Sequence, residues 1–161
     1  MKLHTGWRTM ARPLVPESFD VPAAPSTPEF RLEPLTERHA AGDHRAWASS
    51  IPHIQATPGF VDWSWPPPGG MSEDDNLASV RRHASHYTAR VAFTYAVVEQ
   101  ATDEVVGCVY VHPAADPHHD CEVRSWVSAD HARLDRPVYD AVLEWLRRDW
   151  PFRAVLSHPR P

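Results

Sequence analysis

The chain is poor in lysine, cysteine and glycine, and it contains no long apolar run. Lys2 is its single lysine; the other fifteen of its sixteen basic residues are arginines. They are scattered, and no Lys/Arg block forms, so the electrostatic footprint of a nucleic-acid-binding protein is missing. Two cysteines, Cys108 and Cys121, are too few for a disulfide framework. Both fall in strand-like segments, where buried reduced thiols are expected. No apolar stretch approaches the ~20 residues that would span a bilayer, so no membrane partner is expected. Residues 1–12 carry basic side chains with no apolar h-region behind them. That excludes a secretory signal and leads to an expected cytoplasmic location.

Proline and tryptophan are abundant instead, at seventeen and seven residues in a chain of 161. The length suits one domain, and 42% hydrophobic residues suffice for its core. A net charge of -5 is modest and spread along the chain. Prolines 13, 16, 22, 25 and 28 forbid a helix over residues 1–29. This stretch is read as an extended arm, laid on the body by Leu14, Val15, Phe19 and Val21. The body then covers residues 30–161.

Within the body, Phe30-Arg31-Leu32-Glu33-Pro34-Leu35 alternates apolar and polar residues, the period of a half-buried strand. Pro34 makes it an edge strand or a strand end. Thr36 caps a helix over 37–49, with Trp47 as its core anchor. Residues 51–71 are broken by prolines and by Gly59, Gly69 and Gly70, and read as irregular. They nevertheless hold Phe60, Trp63 and Trp65, either as one wall of a pocket or as staples to the core. Ser72-Glu73-Asp74-Asp75 is a helix start, with a side-chain cap and three acids at the positive helix end. That helix runs to about residue 90. Residues 92–99 and 105–112 are strands joined by a short turn, hence an antiparallel hairpin. Phe93, Tyr95 and Val97 share one face. A strand over 120–127 follows a loop. Asp135 is the expected N-cap of a helix over 136–149, with Val138, Val142 and Leu146 on its apolar stripe. Pro151 stops it, and 152–156 is a last short strand. A strand, a helix of that length and a strand form a crossover unit, so the two strands are parallel.

This order resembles the GNAT family of N-acetyltransferases. The resemblance is carried by Phe30-Arg31-Leu32-Glu33-Pro34-Leu35-Thr36, by Phe93-Thr94-Tyr95-Ala96-Val97-Val98 with Val105-Val106-Gly107-Cys108-Val109-Tyr110, and by Glu122-Val123-Arg124-Ser125-Trp126-Val127. It covers residues 30–156 and looks closest to small bacterial members with a Pro-rich arm and a Trp-Pro-Phe ending. The implied fold is a GNAT-like α/β domain. It has a mixed five-stranded sheet, antiparallel hairpins, three helices and a parallel strand–helix–strand unit, truncated after the fifth strand. The implied activity is acetyl transfer from acetyl-CoA to a small amine or a protein amino group, with homodimer formation left open. The alternative is a non-catalytic GNAT-fold binding protein that has lost the coenzyme.

In that family the fourth and fifth strands splay apart, and the pantetheine arm adds to the fourth as an extra strand would. The resemblance therefore implies a thioester near Trp126, Val127 and Ser128. It implies a pyrophosphate near residues 131–137, at a helix N-terminus. The family's glycine-rich loop is replaced here by Asp130-His131-Ala132-Arg133-Leu134-Asp135-Arg136-Pro137. Arg133 and Arg136 are the candidate phosphate partners. At ~5 Å and an effective dielectric of about 20, Asp135 would oppose a phosphate by roughly 3 kcal/mol.

A carboxylate on the fourth strand commonly serves the family as base, and Glu122 is the match. The plainer reading of Glu122 is a solvent-facing strand glutamate. Tyr110 or Tyr139 would return a proton to the leaving thiolate, Tyr139 also being a natural core residue. Phe60, Trp63 and Trp65 would line the acceptor pocket, with Glu73, Asp74 and Asp75 lending negative potential. His112, His118, His119, Asp120, Cys121 and Glu122 are dense in ligating side chains. Neighbours on a strand point to opposite faces, so they do not converge, and no metal site is expected.

Overall fold

The computed structural model describes residues 12–161; the start of the predicted arm, residues 1–11, lies outside them. Five strands form one sheet in the order β1-β2-β3-β4-β5: β1 is Phe30–Pro34, β2 Phe93–Glu99, β3 Val105–His112, β4 Cys121–Val127 and β5 Val155–Leu156. Neighbours pair antiparallel from β1 to β4, and β4 pairs parallel with β5. The helices are α1 (Ala40–Ala48), α2 (Ile51–Gln55), α3 (Glu73–Thr88) and α4 (Asp135–Asp149). Short 3-10 turns, Glu37–His39 and Ala129–Leu134, lead into α1 and α4.

The period-2 pattern sorts side chains to two cores, one on each sheet face. Leu32, Phe93, Tyr95, Val97, Val109 and Val123 meet Val138, Val142 and Leu146 of α4. Those three α4 residues are no more than 1% exposed, and each contributes about 1.5–3 kcal/mol of burial. The opposite face presents Ala96, Val98, Cys108 and Trp126 to Trp47 of α1, Ile54 of α2 and Val80 of α3. Arm residues 14–24 close the α4 side. Val15 is 1% exposed, Leu14, Phe19, Val21 and Ala24 pack against the same core, and Leu14 N–H donates to Arg90 O at 2.7 Å.

Gly107 of β3 lies against the β4 backbone opposite Val127. A Cβ there would lie 2.3 Å from Trp126 O. The β2–β3 register also slips between Val97 and Val98 at this level.

Three expectations are corrected. Residues 51–71 are not wholly irregular, because α2 forms at their start. Pro52 sits in its first turn, where a proline lacks only a donor that has no intrahelical use. Asp135 is not the cap of α4; Leu134 holds that position and Asp135 is the first helical residue. The last strand begins three residues later than expected. The Asp120 carboxylate takes the Arg153 and Ala154 N–H groups at 2.6 and 2.9 Å, so these amides bond a side chain instead of the ladder.

Two strand ends are finished alike. After β1, Thr36 N–H donates to His39 Nδ1 at 3.0 Å, and His39 Nε2 lies 3.0 Å from Glu33 Oε1. After β4, Ser128 Oγ lies 2.7 Å from His131 Nδ1, and His131 Nε2 is 3.5 Å from Glu99 Oε1. In both, a histidine three residues after the capping Thr36 or Ser128 tightens the 3-10 turn and reaches back to a sheet glutamate.

Candidate active site

β4 and β5 pair only at Cys121↔Val155 and Glu122↔Leu156, while β4 runs on to Val127. Among the described residues, the β4 edge turned away from β3 has no strand partner from residue 123 onward. Ser128 N–H donates to Val106 O at 2.8 Å, which fixes the alternation of the β3–β4 ladder. The main-chain groups of residues 123, 125 and 127 consequently face the gap. α4 begins beside it.

Glu122, Arg124 and Trp126 share the opposite parity and point to the α1 side. Glu122 is buried, with Oε2 2.8 Å from His158 Nε2 and 3.0 Å from Arg124 Nη2. It is not the solvent-facing glutamate of the plainer reading. Arg124 also donates through Nη1 to His112 Nε2 at 2.8 Å and through Nε to Gly59 O at 2.8 Å. Its guanidinium lies 3.9 Å from the Trp63 ring centroid. Accepting on Nε2 leaves His112 its proton on Nδ1, which reaches Pro113 O at 3.1 Å. Burial, and next the charge of Arg124, hold its pKa well below the usual histidine value, so His112 is neutral. Gly59, at φ 98°, lets the loop meet this cluster; a Cβ there would sit 3.0 Å from the His158 ring.

Phe60, Trp63 and Trp65 surround Tyr110, with ring centroids 6.3, 6.1 and 6.1 Å away. The Tyr110 hydroxyl accepts from Trp126 Nε1 at 3.0 Å. Burial raises its pKa well above the ordinary phenol value, so it keeps its proton. The three loop aromatics and Tyr110 are thus brought together; Phe60 is fully buried and the two tryptophans half-buried. Glu73, Asp74 and Asp75 occupy the first turn of α3. A second buried acid on this side, besides Glu122, is Asp43 of α1, whose carboxylate accepts from Asn76 Nδ2 at 3.2 Å. Burial pushes its pKa up to about 6.

The connection to α4 is occupied by protein partners. Arg133 Nη2 donates to Glu99 Oε2 at 2.6 Å, and Arg136 donates to Asp140 Oδ2 and to Pro161 O, both at 3.4 Å. Asp135 is met by Arg160, whose Nε and Nη2 lie 2.8 and 3.1 Å from its two oxygens. Trp126, Val127 and Ser128 are buried. Tyr139 donates to Ser157 Oγ at 3.2 Å.

The ligating residues of 112–122 go separate ways. His119 pairs with Asp116, Asp120 fastens β5, Cys121 enters the α4-side core and Glu122 joins Arg124. Among the described residues no group of three such side chains could hold a metal ion. No helix there is long and apolar enough to cross a membrane. Sequence reasoning missed Arg124, His158 and Arg160. Arg124 was recoverable, since it stands two residues from Glu122 on one strand face. His158 and Arg160 follow the last strand, where no periodicity marks a direction.

No protein-family model and no curated protein matches this chain. Solved structures do. A GNAT-family acetyltransferase from Bacillus anthracis superposes with a TM-score of 0.60 at 11% identity, covering 86% of this chain and 74% of that one. A ribosomal-protein-S5-alanine acetyltransferase from Vibrio fischeri gives 0.59 at 12% identity, over 80% and 68%. RimL, a ribosomal L7/L12 alpha-N-protein acetyltransferase in complex with coenzyme A, gives 0.59 at 16% identity, over 79% and 69%. The chain has the GNAT acyltransferase fold.

Proposed function

We propose that this GNAT-fold chain is an acetyl-CoA-dependent N-acetyltransferase acting on an amine, a protein amino group before a small molecule, in the cytoplasm. The carrying observation is the unpaired β4 edge over residues 123–127, lying beside the start of α4. Such an edge offers alternating donors and acceptors to an extended amide chain. Structural neighbours that modify ribosomal proteins, one of them with coenzyme A bound, support the choice of co-substrate and of acceptor.

Bound acetyl-CoA would supply the activated acyl group. The main chain of residues 123–127 would hold its amide arm, and Arg136 with Arg133 its phosphates. The residues present suit the amide arm better than the phosphates. No glycine lies in 128–137, Pro137 lacks a donor and Arg133 is committed to Glu99. Glu122, directly or through a water, takes the proton of the incoming ammonium. Its bonds to Arg124 and His158 fix its orientation. Tyr110, kept protonated by burial, is the proton donor. Phe60, Trp63 and Trp65 line the acceptor side.

Calorimetry with millimolar acetyl-CoA tests this directly. Binding, with thiol release on adding an amine acceptor, is expected; no heat and no thermal shift would overturn the transferase. Glu122→Gln should lower kcat by roughly 10²–10⁴-fold, the usual worth of a general base, while acetyl-CoA still binds. The glycine-free connection and its committed side chains favour one second reading, a GNAT-fold binding protein without coenzyme. The same titration decides between them.

A further inference from the structure

Arg160 ends in an unexpected place. Its side chain is 3% exposed. Nη2 donates to Ser125 O at 2.8 Å and to Ser125 Oγ at 3.1 Å. Nε and Nη2 grip both oxygens of Asp135, and Nη1 reaches His158 O at 2.9 Å and Pro58 O at 3.4 Å. The guanidinium lies 4.9 Å from the Tyr139 ring centroid. Ser125 O is one of the main-chain acceptors that the β4–β5 gap leaves open, so a side chain stands where a fifth-strand amide would otherwise be.

The rest of the segment is positioned to match. His158 is tied to Glu122 at 2.8 Å, Ser157 accepts from Tyr139, and Pro161 O accepts from Arg136. Residues 157–161 therefore cross the gap from β4 to the start of α4, the path assigned above to the coenzyme's amide arm and first phosphate contact.

We infer that residues 157–161 are a self-occluding strap, with Arg160 as its latch on Ser125 and Asp135. Ligand binding at the β4 edge requires that latch to open. His158, held by Glu122, is the fixed end; Arg160, held from β4 and α4 together, is the end that releases. The identity of the displacing ligand rests on the acetyltransferase reading; the occlusion does not.

Asp135 would repel phosphates once Arg160 leaves, so the probe should carry the amide arm alone. Acetyl-pantetheine serves, titrated into the full chain. Arg160→Ala should bind it at least 10-fold more tightly than the unaltered protein. Arg160→Lys, which keeps the charge but cannot grip Ser125 and Asp135 at once, should fall between. Equal affinities for all three would overturn the strap. If no form binds acetyl-pantetheine or acetyl-CoA, the acetyltransferase reading is what fails. The strap is then judged by hydrogen exchange at Arg160 Nε. Protection in the unaltered protein that is lost in Asp135→Asn supports it; exchange as fast as at an exposed arginine overturns it.

Discussion

Asp43 has little water around it. It is 6% exposed, and one amide hydrogen bond only partly compensates the desolvation that lifts its pKa to about 6 from 3.8. The folded chain thus binds this proton more tightly than the unfolded chain does. Stability falls as pH rises from 3.8 through about 6, and the full penalty persists above that. Two units correspond to about 3 kcal/mol. Asp43→Asn keeps an acceptor for Asn76 and carries no charge. Urea melts should show it stabilised at pH 8 by up to about 3 kcal/mol, with the gain fading near pH 3. An equal gain at both pH values would refute the assignment. Gly107 carries the opposite kind of sensitivity. With a Cβ 2.3 Å from Trp126 O, Gly107→Ala must push β3 and β4 apart. A loss of about 3 kcal/mol in denaturant unfolding is expected, the upper end for overpacking.

At the scale of elements, local chemistry fixed what was legible. α3 was readable because Ser72 and three acids announce its start, and Ser72 Oγ does accept from Asp75 N–H at 3.1 Å. Ser72→Ala should cost about 1 kcal/mol in thermal or denaturant melts. The strands were readable because Phe93, Tyr95 and Val97 alternate with Ala96 and Val98 into two cores. α2 was hidden because Pro52 looks like a breaker until its place in the first turn is known. The start of β5 was hidden because a side chain 33 residues earlier, Asp120, takes its first amides. The site divides in the same way. Glu122, Tyr110 and the loop aromatics were legible from residue type and strand position. Their partners His112 and His158 were not, nor was Arg160 on Ser125 and Asp135, since what places them is tertiary structure across long stretches of chain.

At the scale of the whole molecule, the sheet separates two cores, and the arm completes only one. Val15 fills a place beside the α4-side core. Removing two of its methyl groups should cost about 2 kcal/mol, transfer plus cavity. Val15→Ala that melts like the unaltered protein would show the arm to be dispensable. The two cysteines mark the same division. Cys108 lies in the core shared with α1 and α3, and Cys121 in the core shared with α4; they are 1% and 0% exposed. Burial pushes the Cys121 thiol up to about 12 and Cys108 well above its usual value, so neither offers a thiolate at neutral pH. A disulfide reagent should therefore read released coenzyme thiol without background from the folded chain. Under mild denaturant the pair becomes a two-channel recorder of opening. Matching labelling rates would mean that both faces come off the sheet together, and faster modification of one cysteine would name the face that peels first.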